Sequence, residues 1–458
     1  MKYSFDAIVV GAGQAGPPLV ARLAGAGWKV AVVERHLFGG TCVNNGCTPT
    51  KAMVASAHAA HLARRGADFG IHAGPVTVDM RAVKARKDAI ILSARSGVEK
   101  GLRTTTNCTV FTGTASFASP TTMRVGDDLL EAPKIFLNVG ARPLVPKMAG
   151  VDSVPFLTST TILDLEELPE HLIIVGAGPV GLEFAQMFRR FGSAVTIIDK
   201  NSRLAAKEDE DASKVIRDIF DSEGIEVRIS ANCIHLERHG DQVLVGVECN
   251  EGEPHVIGSH VLLAVGRVPN TDDLNLPAAG ITPDQRGYIP VDDQLRTTTP
   301  GIFAIGDCNR RGAFTHTSYN DSEIVADNLL NGASRRVSDR IFAYATYIDP
   351  PLAHIGMSEA DVRATKKPAL IGVRPMTRIS RAIEKGETFG YIKVLVDAES
   401  QHILGATVFG TGGDEAIHCI LTAMYARQPA SLLTHSVHIH PTVAELIPTT
   451  LEDLKPLQ

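Results

Sequence analysis

The chain has 458 residues, 44% hydrophobic and 21% charged, with a formal net charge of −6. That balance describes a globular protein of about three domains. It offers no basic footprint for nucleic acid or an anionic membrane surface, and no apolar run approaches the roughly 20 residues of a membrane span. Seven cysteines do not make a secreted disulfide framework. The N-terminus leads directly into a strand and does not read as a signal peptide, so the expected setting is the cytoplasm.

The first predicted unit opens with the apolar run Ala7-Ile-Val-Val, the turn Gly11-Ala-Gly13-Gln-Ala-Gly16, a helical stretch, and a second apolar run, Val30 to Val33, ending in Glu34. In such a unit the first glycine makes the tight turn, the second admits a pyrophosphate close to the backbone, and the third lets helix and strand pack. The helix N-terminus offers free N–H groups to phosphate, and the terminal carboxylate accepts ribose hydroxyls. Pro17 and Pro18 fall in the first helical turn, where proline is tolerated, so no kink is expected.

Directly after this unit comes Gly39-Gly40-Thr41-Cys42-Val-Asn-Asn-Gly-Cys47-Thr-Pro-Thr-Lys51. Cα atoms five apart in a regular helix lie about 8.6 Å from one another, whereas a disulfide needs them within roughly 7 Å. A bond between Cys42 and Cys47 therefore requires a distorted helix, and a strained disulfide is easily reduced. The bland alternative is half a zinc site, but zinc wants four ligands and no nearby His or Cys completes a set.

The glycine unit recurs as His171-Leu-Ile-Ile-Val-Gly176-Ala-Gly178-Pro-Val-Gly181, followed by a helical stretch and the run from Ala194 to Asp199. Glu34 and Asp199 each follow the first glycine of their unit by 23 positions. One such turn is a weak signal, but two with matching strand, helix and carboxylate imply two bound dinucleotides. The runs Ile135 to Gly140 and Val261 to Gly266 echo one another and read as strands leading into crossovers between domains. Residues 297–306 read as a buried strand that ends in Gly306-Asp307. Beyond about residue 340 the glycine turns stop. Residues 392–397 and 403–410 read as a hairpin, and 414–427 as a helix.

These motifs resemble those of the flavoprotein disulfide reductases, the family of glutathione reductase, dihydrolipoamide dehydrogenase and mercuric reductase. The resemblance runs the full length of the chain, and the dithiol motif and His440-Pro-Thr-x-x-Glu445 are specific to that family. It implies an α/β protein with two Rossmann-type dinucleotide-binding domains and a C-terminal α+β dimerisation domain, glutathione reductase-like. The expected divisions are 1–148 with 272–338 for FAD, 149–271 for NAD(P)H, and 339–458 for the interface of a homodimer.

By the same resemblance, Gly11, Gly13, Gly16, Glu34, Gly40, Thr41, Gly140 and Asp307 hold FAD. Gly176, Gly178, Gly181, Asp199 and Gly266 hold the nicotinamide coenzyme. Lys51 pairs with Glu183 beside flavin N5, and each would otherwise be a solvated charge. Cys47 becomes the thiolate against the flavin and Cys42 the interchange thiol. His440, oriented by Glu445, protonates the leaving thiolate from the partner subunit.

The implied function is transfer of hydride from NAD(P)H through FAD to the Cys42–Cys47 disulfide, and on to an external disulfide. The alternatives are a mercuric or cupric reductase and a flavin sensor without turnover. The chain ends without the vicinal cysteine pair of typical mercuric reductases and keeps His440 where those enzymes usually carry tyrosine, which favours thiol chemistry. Asp199 favours NADH by repelling a 2′-phosphate, although Lys200 and Arg203 nearby offset that and keep NADPH as the other candidate. Cys108, Cys233, Cys249 and Cys419 carry no motif and read as buried apolar positions. Residues Arg378 to Lys385 read as a solvated charged loop, or else as a site for an anionic substrate.

Overall fold

The computed structural model describes residues 1–248 and 253–457. The first sheet is built on Ala7–Val10, which pairs in parallel with Val30–Glu34 on one side and Lys134–Leu137 on the other. Cys108–Thr112 and Ile302–Ala304 complete its edges. The central strands are apolar on both faces because both are covered: helices pack on one face, and a separate four-stranded sheet carrying Phe117, Met123 and Leu130 packs on the other. The last strand comes from far along the chain: the predicted run 297–306 is a strand only over Ile302–Ala304 and then tightens into a short 3-10 turn, Gly306–Asn309. Before it the backbone makes local turns, with Thr297 N–H bonded to Ile302 O and Ile302 N–H to Thr299 O, and only Gly301 O reaches the neighbouring strand, at Ile135 N–H.

The second unit repeats the first. His171–Val175 lies between Ala194–Ile198 and His260–Leu263, all parallel, with Leu157–Thr158 and Glu226–Arg228 outside them. The repeat extends to single hydrogen bonds. Gly11 N–H donates to Val33 O and Gly176 N–H to Ile198 O, both at 2.8 Å. Both first glycines need a positive φ, +102° and +117°. A Cβ there would lie 2.3 Å from Asn138 O and 2.5 Å from Ala264 O respectively, so no other residue fits. The helix Gly16–Gly25 starts with its prolines at the first positions, as expected.

The two crossovers meet each other: Ala141–Pro143 pairs antiparallel with Arg267–Pro269. The C-terminal part is a six-stranded sheet in the order Ala343–Thr346, Leu352–Gly356, Ile403–Phe409, Tyr391–Asp397, Ala369–Pro375, Lys455–Pro456. The predicted hairpin is its centre, and the helix Gly413–Tyr425 packs on it. Lys393, buried in that centre, reaches Asp209 and Asp211 of the second unit, each at 2.8 Å, and Glu359 at 3.4 Å. A buried ammonium is tolerable only when so compensated; here it also ties the second unit to the C-terminal sheet.

The unassigned cysteines are less uniform than expected. Cys308 is buried, but Cys108 and Cys419 are half-buried and Cys233 is exposed, at a left-handed position (φ +50°) on the outer three-stranded sheet. Cys249 lies outside the described residues. The charged segment at 378–385 pairs with its own neighbours, Arg381 with Glu384 and Lys385 with Glu387 and Thr411, as a solvated surface would.

Candidate active site

The stretch between the two cysteines is not one helix. A short helix, Gly40–Asn44, ends at Asn45 (φ −149°), Gly46 takes φ −130° and ψ −116°, and a second helix runs over Cys47–Arg64. This break is the distortion the spacing demanded. Gly40 sits against Gly13, where a Cβ would come within 2.7 Å of the Gly13 Cα. The dithiol segment is thereby seated directly on the first glycine turn.

Both cysteines are free in the structure, and each perturbs the acidity of the other. Their acidities diverge. The hydrogen bond from Cys42, helped by Thr315 and by the charge of Lys51, draws Cys47 down to about 6. The same bond, with burial, pushes Cys42 far above the ordinary thiol range. Cys47 is also the first residue of an 18-residue helix, a place that favours a thiolate. Its Sγ lies 3.4 Å from the Thr315 hydroxyl, at the start of the helix Thr315–Leu330.

One turn beyond Cys47, Lys51 reaches across to the Pro179–Phe191 helix and meets Glu183 Oε2 at 2.5 Å. Glu183 is buried and Lys51 about one-third exposed, so the pair is half sheltered. The Tyr347 N–H donates to the other Glu183 oxygen at 2.9 Å.

The two glycine turns are held from behind by their carboxylates. Glu34 accepts from Ala12 N–H at 2.8 Å, and Asp199 accepts from Ala177 N–H at 2.6 Å. Gly16 and Gly181 leave no room for a Cβ against the carbonyls of Gly11 and Gly176, whereas a Cβ at Gly178 would meet nothing within 4 Å. Gly140 and Gly266, both at positive φ, open the paired crossover strands. Asp307 is largely buried and forms no hydrogen bond among the described residues; its nearest cation is Arg267 Nε at 3.9 Å, and burial raises its carboxyl. A sheltered acceptor without a donor, next to an open glycine cradle, fits a ligand rich in hydroxyls and phosphates.

His440 and Glu445 form their pair, with Nδ1 3.0 Å from both carboxylate oxygens. Among the described residues nothing else holds the ring. The side chain is 72% exposed, and no hydrogen bond or ion pair among the described residues joins it to Cys42 or Cys47. Its neighbours Val437 and Ile439 are bare to solvent, at 101% and 80%.

Sequence comparison matches the family model of the pyridine nucleotide-disulphide oxidoreductases over residues 5–322, and the model of that family's dimerisation domain over 342–451. The chain belongs to this family. It is an FAD- and NAD(P)H-dependent oxidoreductase of the disulfide-reductase kind, with the glutathione reductase-like fold. Among its relatives is the probable pyridine nucleotide-disulfide oxidoreductase RclA of Escherichia coli K12, 34% identical over 96% of this chain and 97% of that one. A mercuric reductase of Streptomyces lividans is 33% identical (97% and 94%), and a dihydrolipoyl dehydrogenase of Chlamydia trachomatis 32% (97% and 96%). The solved Cu(II) complex of RclA, described as an HOCl-induced flavoprotein disulfide reductase, superposes with a TM-score of 0.89 at 32% identity, covering 98% of this chain and 99% of that one. No helix among the described residues is long and apolar enough to cross a membrane.

Within this oxidoreductase, sequence reasoning brought together the dithiol, Lys51 with Glu183, and His440 with Glu445. It missed residues whose contribution depends on distant parts of the chain. Asn138, just before Gly140, donates to the carbonyls of Gly11 and Gly13 at 3.1 and 3.2 Å and pins the first turn. Arg267 spans Thr41 Oγ1 (3.4 Å), the Ala141 carbonyl and Asp307. Its place in Val-Gly266-Arg267-Val-Pro-Asn was the available signal. Thr315 had none. His316 packs, with Nε2 2.8 Å from Ala343 O and its ring stacked on Phe314, while Tyr319 is exposed.

Proposed function

We propose that this enzyme reduces an external disulfide with electrons from NADH, using Cys42 and Cys47 as the relay. FAD and the nicotinamide, when bound, supply the two-electron chemistry that opens the Cys42–Cys47 disulfide. Gly11, Gly13, Gly16, Glu34, Gly40, Thr41, Gly140 and Asp307 would hold the FAD. Gly176, Gly178, Gly181, Asp199 and Gly266 would hold the coenzyme.

The placement of the two cysteines carries this reading: Cys47 opens the Cys47–Arg64 helix beside Thr315, while Cys42 lies in the separate short helix before it. Near neutral pH the reduced pair holds one proton, on Cys42, and one negative charge, on Cys47. His440 of a second copy takes the Cys42 proton as the sulfur attacks the substrate disulfide. One substrate thiolate leaves and receives that proton from His440 Nε2, while Cys42 keeps the other half as a mixed disulfide. Cys47 thiolate then attacks Cys42 Sγ, releasing the second thiolate and restoring the Cys42–Cys47 bond. Lys51 and Glu183 supply a fixed charge pair on the cofactor side. The domain division expected from the sequence, a homodimer built through residues 339–458, and a reducing cytoplasmic setting all suit this cycle.

NADH is the proposed coenzyme. Of the two nearby cations, Arg203 is turned inward onto the carbonyls of Ala206 and Glu208 at 3.2 and 2.9 Å. Asp199 stays at the strand end, holding Asn201. A kcat/KM for NADPH equal to or above that for NADH would overturn this choice.

A second reading, reduction of a soft metal ion, is favoured by the mercuric reductase relative and by the Cu(II) complex of RclA. Among the described residues no group of three or more His, Cys, Asp or Glu is arranged to hold a metal. The deciding experiment is anaerobic titration of the yellow protein with NADH, followed by a screen of disulfides, Hg(II) and Cu(II). A long-wavelength absorption band at two-electron reduction, lost in Cys47→Ser, supports the relay. Bleaching without that band removes it. Turnover with metal ions but with no disulfide would replace the first reading by the second.

A further inference from the structure

Tyr347 lies where the C-terminal part crosses the helices of both nucleotide units. It follows the strand Ala343–Thr346 and opens a short strap, Tyr347 to Asp349. Glu183, Gln186 and Arg190, three and four apart, share one face of their helix, and each holds the strap. Glu183 takes the Tyr347 N–H at 2.9 Å. Gln186 exchanges two hydrogen bonds with the Asp349 backbone, at 2.7 and 2.8 Å, and Arg190 binds the Asp349 carboxylate. From the dithiol helix, His58 Nδ1 meets the same carboxylate at 2.7 Å.

The strap brings the Tyr347 ring over Lys51, with Nζ 4.7 Å from the ring centroid. That is well within the range at which an aromatic face attracts an ammonium. The phenol stays neutral, because burial and the negative charges of Asp414, Glu183, Cys47 and Glu415 all oppose its ionisation. Lysine ends a flexible four-carbon stem with no fixed geometry of its own. Here its charge is bounded by the Glu183 carboxylate on one side and the ring on the other. Tyr347 fixes both boundaries at once, the carboxylate through its backbone N–H and the ammonium through its ring. The residue is 37% exposed, so it is not simply a core filler.

We infer that Tyr347 is a positioning residue that sets the place of the Lys51 charge, and through it the ease with which the bound flavin is reduced. This rests on the reading of Lys51 as the flavin's charged neighbour, so the test includes Lys51 itself. The midpoint potential of the bound flavin and the rate of its reduction by NADH would be measured in Lys51→Met, Tyr347→Leu, Tyr347→Phe and the Lys51→Met/Tyr347→Leu double variant. Lys51→Met should make the flavin harder to reduce. Tyr347→Leu should move the potential the same way by less and slow reduction about 5-fold. Tyr347→Phe, which keeps the ring and the N–H, should retain the wild-type potential, and the double variant should match Lys51→Met alone.

Additive shifts in the double variant would show that Tyr347 acts independently of Lys51 and overturn the inference. So would Tyr347→Phe failing as Tyr347→Leu does, because the hydroxyl would then be the part that matters. A wild-type potential in Tyr347→Leu beside a shifted one in Lys51→Met would sink the inference and leave the proposed function standing. An unmoved potential in Lys51→Met would overturn the inference together with the reading of Lys51 as the flavin's charged neighbour.

Discussion

Cys47 and His440 carry the two halves of the proposed chemistry, and the chain holds them in opposite ways. Cys47 sits where a broken helix restarts, with Cys42, Thr315 and Lys51 around it. Those contacts come from two separate segments of one chain and fix both its position and its charge. Among the described residues His440 has a single partner, Glu445, and it projects from an apolar, solvent-facing edge. The dithiol half is finished within the chain, whereas the histidine half meets no cysteine among the described residues. Such an arrangement makes sense if the second half is completed by another copy, where burial of Val437 and Ile439 provides the apolar contact.

The strongest way to break this comparison is a mixed dimer. Cys42→Ser and His440→Ala homodimers should each lose disulfide reduction, by on the order of 10³-fold or more for the nucleophile and about 10²-fold for the acid–base group. A dimer with one chain of each kind has one intact composite site if sites are shared between chains, so its turnover should return to about half of wild type. If mixing restores nothing above the His440→Ala level, each site lies within one chain, and the contrast drawn here is wrong.

Glu445 offers a smaller test. It holds Nδ1, so Glu445→Gln loosens the ring's orientation without removing it. Turnover should fall about 10-fold, in kcat more than in KM. A variant indistinguishable from wild type would mean the ring is positioned by the partner chain alone.

The smallest expected effects concern the dithiol side and sharpen its description. Cys47 is drawn below the ordinary thiol value to about 6, so it is a thiol below that pH and a thiolate above it. Ultraviolet thiolate absorbance of the reduced protein should therefore rise through pH 6 for one group. Cys42, pushed upward, should contribute nothing until strongly alkaline pH. Thr315→Val removes a hydrogen bond to the thiolate and should move that midpoint upward, with only a few-fold loss of turnover. A midpoint near 9 in the wild type would show that the contacts around Cys47 do not set its charge.

Much of the architecture was legible without coordinates, because its signals are local. A tight turn that must pass under a carbonyl admits only glycine, so Gly11 and Gly176 are written into the sequence. The dithiol spacing required a broken helix because disulfide geometry is narrow, and Asn45 and Gly46 break it. Less legible was the run 297–306, where apolar residues suggested a long strand but most of the backbone is spent on turns. Cys233 also differed: a cysteine without a motif is usually buried, and this one lies on an outer sheet.

The sequence by itself determined the two nucleotide units, the dithiol between them and the histidine–glutamate pair, because each rests on residues close enough in the chain for steric or hydrogen-bonding rules to read directly. Only the tertiary structure decided which way Arg203 turns, that Thr315 reaches Cys47 from 268 positions away, and that Tyr347 caps Lys51. It also decided that His440 faces outward from its own chain. Those facts depend on which helices and strands pack together, and no spacing rule connects residues that meet only after the chain has closed on itself.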